Sequence, residues 1–95
     1  MNRKGKGSRN ERRARDILKG LGCDLVIKAG GSLGLFDLIA LSGEYDHAIL
    51  LQVKTNRKPS KVEMELLKAF QCPKFARKEV WVFKDRVRNP EIVEL

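Results

Sequence analysis

Residues 35–54 read LFDLIALSGEYDHAILLQVK, and the pattern of this segment predicts the centre of the fold. Two largely apolar runs, 35–41 and 48–55, flank a polar turn of residues 42–47. Apolar runs of this length bounded by turn residues are typical of strands, and a short turn favours antiparallel pairing. We therefore expect a β-hairpin whose first strand, apolar on both faces, lies inside a sheet.

Helices are predicted on either side of this hairpin. Ser8 and Glu11 have the spacing of a capping box, and apolar residues follow at helical intervals. Ser60 and Glu63 repeat that spacing, and Pro73 closes the second helix. Each helix therefore begins at a serine whose side chain is expected to cap the first turn.

Further strands complete a single small domain of 95 residues. We expect them at residues 23–28 and 79–84, with a short edge strand at 91–95. The resulting order, α-β-β-β-α-β-β, predicts an α/β fold with a central mixed β-sheet flanked by helices. Trp81 and Phe83 share one face of a strand, so we expect both in the core.

The charge of the chain is concentrated at its N-terminus. Twenty Lys and Arg residues against twelve Asp and Glu give a net charge of +8. Residues 1–15 hold seven basic residues and one acidic residue, and residues 1–7 are expected to form a flexible basic arm. Nucleic-acid phosphate is the expected partner, although a solubilising tail is the alternative. The candidate DNA-binding residues are Arg3, Lys4, Lys6, Arg9, Arg12, Arg13, Arg57 and Lys58.

The composition argues against several other classes of protein. No apolar run approaches the roughly 20 residues of a membrane-spanning helix, and no signal peptide is recognisable, so we expect a cytoplasmic protein. Cys23 and Cys72 are far apart, and His47 is the only histidine, so a zinc site lacks ligands. We expect both cysteines to be reduced.

Three polar residues interrupt the two apolar runs of the hairpin. Asp37 lies in the first run, and Gln52 and Lys54, two residues apart, project from one face of the second. A carboxylate on an inner strand is costly unless it is paired or binds a metal. If the register places Asp37 opposite Gln52, all three groups meet on one face of the sheet.

This combination is typical of metal-dependent phosphodiester cleavage. Mg²⁺ or Mn²⁺ takes oxygen ligands, here the Asp37 carboxylate, the Gln52 amide oxygen and the Val53 carbonyl, and Glu11 could add a further carboxylate. The metal polarises the phosphate and activates a water molecule. Lys54 could position that water or stabilise the charge that develops on the phosphoryl oxygens.

Each of these residues also has a purely structural interpretation. Asp37 could form an ion pair with Lys54 and nothing more. Glu11 could be only the N3 glutamate of the capping box with Ser8. Gln52 could face solvent from an edge strand, and the glycines at 30, 31 and 34 could form only a tight turn.

The ordered motifs resemble those of a known family. The helix glutamate Glu11, the motif A-G-G-S-x-G-x-F-D-L-I-A at 29–40 and L-x-Q-V-K at 50–54 are similar to the archaeal-type Holliday junction resolvases of the PD-(D/E)XK nuclease superfamily. The resemblance implies a restriction-endonuclease-like fold and metal-dependent cleavage of four-way DNA junctions. It also implies a homodimer whose two active sites cut opposing strands.

The resemblance also implies particular roles for four residues. Glu11 would be the helix carboxylate, and Ser32 an active-site serine near the scissile phosphate. Asp37 would be the main metal ligand and Lys54 the catalytic lysine.

The chain departs from that family at one position. The family usually has Glu where this chain has Gln52, so the expected site lacks one negative charge. The VRR-type nucleases of the same superfamily are also similar around Q-V-K and the following P-S-x-x-E. Alternatives are therefore a small nuclease without junction specificity, a non-catalytic DNA-binding module, and a phosphate-binding structural protein of a nucleoprotein particle.

Overall fold

The structure, a computed structural model, describes residues 3–29, 35–44 and 47–95, with residues 3–8 described by their backbone alone. In this part of the chain, two helices and a five-stranded mixed sheet follow one another in the predicted order, which makes the protein an α+β domain. The elements are α1 (Arg3–Gly20), β1 (Leu25–Lys28), β2 (Leu38–Leu41), β3 (Ala48–Thr55), α2 (Lys61–Ala69), β4 (Ala76–Phe83) and β5 (Glu91–Glu94).

The strands lie side by side in chain order, with β3 at the centre of the sheet. β2 and β3 pair antiparallel, which confirms the predicted hairpin. β3 and β4 pair parallel because α2 carries the chain back between them, and β1 and β5 form antiparallel edges. The C-terminal ends of β1, β3 and β4 and the start of β2 therefore meet at one end of the sheet.

The strand β2 is shorter than predicted. It begins at Leu38, so Asp37 precedes the strand instead of interrupting it. The Asp37 amide donates to the Leu51 carbonyl at 2.8 Å, and the carboxylate accepts from the Val53 amide at 2.7 Å. The Asp37 side chain thus accepts from a main-chain amide of β3. A longer β2 would supply a backbone carbonyl for that amide instead.

The start of α1 corrects another prediction. The helix begins at Arg3, so residues 3–7 are helical and Ser8 lies inside the helix instead of capping it. Arg and Lys are good helix formers, and extending an existing helix is easier than starting one. The predicted capping box of Ser8 and Glu11 is therefore wrong, whereas the second box, Ser60 with Glu63, is confirmed.

Each helix covers one face of the sheet. Ala14 and Leu18 of α1 pack in one core cluster, whose sheet residues include Leu38, Leu51, Trp81 and Phe83. On the opposite face, Leu67 of α2 packs with Phe36, Leu50, Val80 and Val82. Trp81 and Phe83 are each 1% exposed, as predicted. Because side chains alternate along β3, the even-numbered Gln52 and Lys54 share the α2 face with Leu50.

Within the described residues, no helix is long and apolar enough to cross a membrane. The two cysteines are free thiols, as predicted: Cys23 is buried and Cys72 is half-buried.

Candidate active site

Asp37 lies beside Gln52 at the open end of the β2–β3 hairpin. The regular register of β2 with β3 ends where Leu38 pairs with Leu51. The Asp37 amide donates to the Leu51 carbonyl and its carboxylate accepts from the Val53 amide, so Asp37 contacts β3 on both sides of Gln52. The structure thus brings Asp37 close to Gln52 without extending the strand pairing to these two residues.

Gln52 is a buried polar residue with an unsatisfied atom. Its side chain is 8% exposed, and its Oε1 has no hydrogen-bond partner among the described residues. A buried amide oxygen without a partner costs on the order of 1–3 kcal/mol. The interpretation of Gln52 as a solvent-facing residue on an edge strand is wrong, since β3 is the central strand.

Lys54 is held by a carboxylate that sequence reasoning assigned only to helix capping. Its Nζ lies 2.8 Å from Glu63 Oε2, and the Lys54 side chain is only 18% exposed. The other oxygen, Glu63 Oε1, accepts from the Ser60 amide at 3.1 Å. Glu63 thus joins the first turn of α2 to Lys54. The spacing S-x-x-E indicated the cap, but no sequence signal indicated the partner across the chain.

The surroundings of Asp37 combine burial with positive charge. Burial raises the pKa of Asp37 above its ordinary value, although the Val53 amide and the charges of Lys54 and Lys28 act in the opposite direction. No ion pair joins Asp37 and Lys54, both of which the structure describes in full; Lys54 pairs with Glu63 instead. An ion pair between Asp37 and Lys54 therefore does not explain why these two charged residues interrupt the apolar runs.

Glu11 lies on the other side of the sheet end. As a residue of the third turn of α1, it forms an ion pair with Lys28 at 3.7 Å. The charge of Lys28 also opposes the burial that raises the pKa of Asp37, so one lysine acts on both carboxylates. A pocket of about 200 Å³ is lined by Glu11, Arg12, Arg15 and Lys28. Within the described residues, no hydrogen bond or ion pair joins Glu11 to Asp37, Gln52 or Lys54.

Two of the predicted basic residues have partners within the protein. The Arg13 guanidinium donates to the Arg88 carbonyl at 2.7 Å and stacks 4.8 Å from the centre of the Phe83 ring. Lys58 pairs with Glu91 at 3.0 Å. Arg13 therefore has a structural role through main-chain and aromatic groups, and its contact with DNA stays a prediction.

The remaining predicted residues divide by position. Arg9, Arg12 and Arg57 are exposed. Arg3, Lys4 and Lys6 lie in the first turns of α1, where only the backbone is described. Ser32 and the glycines at 30, 31 and 34 lie outside the described residues.

The oxygen donors at the hairpin end fit a hard cation in part. The Asp37 carboxylate is half-buried, and the unpartnered oxygen of Gln52 lies on the neighbouring strand. Both are ligand types that Mg²⁺ accepts, and Val53, the third predicted ligand, adjoins them. Among the side chains that the structure describes, no three of His, Cys, Asp and Glu gather at one place. The donor set is thus one carboxylate and one amide, supplemented by main chain or substrate.

No protein-family model, characterised protein or solved structure shows significant similarity to the chain. The fold and the site define the chain as a small α+β protein with a polar cluster at one end of its sheet.

Proposed function

We propose that the protein is a metal-dependent DNA endonuclease with the PD-(D/E)XK fold. The observation that carries the proposal is the unsatisfied, buried Oε1 of Gln52, which lies between the two β3 residues that Asp37 contacts, with Lys54 on the same face of β3. A buried polar atom without a partner in the free protein is expected where a ligand supplies one. A divalent cation supplies such a partner for an oxygen.

Asp37, Gln52 and the Val53 carbonyl would hold Mg²⁺ or Mn²⁺. Bound there, the metal would polarise the scissile phosphate and lower the pKa of a coordinated water molecule. The Val53 amide keeps one oxygen of Asp37 directed at β3 and leaves the other carboxylate oxygen for a ligand. The neutral Gln52 contributes an oxygen without charge, so metal affinity depends strongly on Asp37.

Lys54 would act on the phosphate. Its ammonium group is largely removed from solvent and is fixed by Glu63, so it approaches a substrate with little loss of side-chain entropy. A positive charge preorganised in this way stabilises the negative charge that develops on phosphoryl oxygens in the transition state.

The substrate is proposed to be branched DNA, with four-way junctions as the preferred form. This part of the proposal rests on the sequence resemblance and on the net charge of +8. The same resemblance supports a homodimer, since a two-fold dimer suits the symmetry of a four-way junction. Exposed apolar residues available for such an interface include Leu25 and Ile27 on the edge strand β1 and Leu66 on α2.

A non-catalytic DNA-binding module is the second candidate. The neutral residue at position 52 favours it, because the site holds one carboxylate fewer than the related nucleases. In that case the polar cluster would bind phosphate without hydrolysis, and neither Mg²⁺ nor Mn²⁺ would change the outcome.

The two functions are separated by incubating the protein with a labelled four-way junction and with a linear duplex of matched sequence. Each is run with Mg²⁺, with Mn²⁺ and with EDTA. Paired nicks in the junction that EDTA abolishes support the resolvase. Equal cleavage of both DNAs supports a nuclease without junction specificity, and binding without cleavage under all conditions supports the binding module.

A further inference from the structure

A second cationic surface lies one strand away from the candidate active site. It is the turn between β4 and β5, residues 84–88 with the sequence KDRVR, called the basic turn below. The parallel register pairs Lys54 with Val82, so the basic turn begins two residues beyond the level of Lys54 on the neighbouring strand. Adjacent strands are about 4.8 Å apart, so the turn and the site share one end of the sheet.

The charges of this surface are only partly neutralised. Glu91 pairs with Lys58 at 3.0 Å and with Lys84 at 3.5 Å. Asp85 exchanges hydrogen bonds with Asn56 on the loop after β3. Arg57, Arg86 and Arg88 are exposed, and none of them forms an ion pair within the part of the chain that the structure describes. Three guanidinium groups are therefore left for an external anion.

Arg86 occupies a backbone conformation that is unfavourable for it. Its φ is 67°, in the left-handed region that favours glycine. The left-handed conformation costs an L-residue with a Cβ atom roughly 1–2 kcal/mol. Glycine would adopt this backbone conformation without the strain. The presence of a long charged side chain there points to a role for the guanidinium outside the fold.

The basic turn is also held rigidly against the rest of the molecule. Arg13 of α1 donates to the carbonyls of Arg88 at 2.7 Å and of Val87 at 3.5 Å. The Val87 amide closes the turn on the Lys84 carbonyl at 3.1 Å. These bonds join the turn to α1, which also carries the exposed Arg9 one helical turn before Arg13.

We propose that Arg86 and Arg88 of the basic turn, with Arg57 beside them, bind backbone phosphates of the DNA strand that passes the candidate active site. The inference deepens the proposed function and rests on it only in taking DNA as the ligand. Guanidinium groups suit this role because they bind phosphate oxygens in a bidentate manner. Phosphate contacts of this kind position the duplex and carry no sequence information.

Binding measured in EDTA tests this proposal without any need for hydrolysis. The labelled junction is titrated with the wild-type protein and with Arg86→Ala/Arg88→Ala at several salt concentrations. Each phosphate contact contributes about 0.9 to the slope of log affinity against log salt, so the slope should fall by about 2. The affinity itself should fall about tenfold at moderate salt.

The matched control is Lys74→Ala/Arg77→Ala, which removes the same charge from exposed residues near the other end of β4. It should change the slope far less. Equal losses in the two double variants would overturn the proposal, because the effect would then reflect net charge alone. An unchanged slope for Arg86→Ala/Arg88→Ala would also overturn it, because neither residue would then contact a phosphate.

A single substitution separates binding from folding. Arg86→Gly relieves the left-handed backbone, so its melting temperature should equal or exceed that of the wild type, while its DNA affinity should fall several-fold. Unchanged affinity overturns the proposal, as does a lower melting temperature, because Arg86 would then serve the fold. If the wild type binds in EDTA but never cleaves with Mg²⁺ or Mn²⁺, the nuclease function fails while this inference stands or falls on the titrations.

Discussion

Lys54 Nζ and Glu63 Oε2 lie 2.8 Å apart, which joins the central strand of the sheet to the first turn of α2. The same glutamate accepts from the Ser60 amide and so completes the capping box. Gln52 is neutral, but the Glu63 carboxylate of α2 lies beside Lys54, the candidate catalytic lysine. The Asp37 carboxylate interacts with the Val53 amide instead.

Replacing Glu63 with Gln should slow cleavage more than it weakens binding. Gln retains the reach needed for the capping box but cannot neutralise Lys54, so the ammonium group loses its fixed position. We expect a ten- to hundredfold lower single-turnover rate, in the range of about 10² that misplacement by ~1 Å causes. Junction affinity in EDTA should change little.

Glu65→Gln is the control for that experiment. Glu65 is exposed on the same helix, and the substitution removes the same charge. Its cleavage rate should match that of the wild type. Equal rates for Glu63→Gln and the wild type would show that Glu63 serves only as a helix cap.

The Glu63 ion pair also predicts how stability depends on pH. The Lys54 hydrogen bond, with that from the Ser60 amide, lowers the pKa of Glu63 below its ordinary value of 4.5. A lowered folded-state pKa contributes stability above pH 4.5 that is lost as the pH falls through the folded-state value. Because the carboxylate is partly exposed, the contribution is below about 1 kcal/mol.

The measurement is the difference in unfolding free energy between the wild type and Glu63→Gln at pH 7 and at successively lower pH. The difference should shrink as the pH falls below 4.5. Burial raises the pKa of Asp37, which acts with the opposite sign, but Asp37 is present in both proteins and its effect cancels. A difference that is independent of pH would contradict the prediction.

Gln52→Glu should change the response to metal ions. A second carboxylate at a position that is 8% exposed and near Asp37 adds like-charge repulsion and an unpaired buried charge. Without metal, the variant should lose about 1–3 kcal/mol of stability. Mn²⁺ should raise its melting temperature more than that of the wild type, and cleavage should persist or increase.

The control for position 52 is Gln71→Glu, which introduces the same charge at an exposed residue. It should respond to Mn²⁺ as the wild type does. If Gln52→Glu gains no additional stabilisation from Mn²⁺, the oxygen at position 52 does not face a metal.

Arg13→Ala should weaken the fold. The substitution removes the hydrogen bond to the Arg88 carbonyl and the stacking on Phe83. These interactions together are worth about 1–2 kcal/mol. Chemical denaturation measures the loss, and the exposed Arg12→Ala should remain within about 0.5 kcal/mol of the wild type. Lower DNA affinity at unchanged stability would instead indicate that Arg13 contacts DNA.

The sequence predicted those features that depend on local pattern. The order of elements, the hairpin, the second capping box and the burial of Trp81 and Phe83 all follow from periodicity and turn residues. The start of α1 did not, because Ser8 offered a capping signal that the longer basic helix overrode.

The hairpin residues of the site were predictable from the sequence, whereas the helix residue that pairs with Lys54 was not. Asp37, Gln52 and Lys54 stood out because each interrupts an apolar run. The partner of Lys54 and the internal role of Arg13 depend on where α2 and the β4–β5 turn come to lie. Those positions are set by tertiary packing, which sequence spacing does not encode.

Of the proposed site residues, Asp37 is the one on which hydrolysis is expected to depend most. The most direct measurement is the single-turnover cleavage of a labelled four-way junction in Mg²⁺ by the wild type, by Asp37→Asn and by Asp16→Asn. Asp16 is exposed on α1 and serves as the charge-matched control. We predict paired nicks with the wild type and with Asp16→Asn, and binding without cleavage with Asp37→Asn. Cleavage by Asp37→Asn at the wild-type rate would contradict a catalytic role for Asp37.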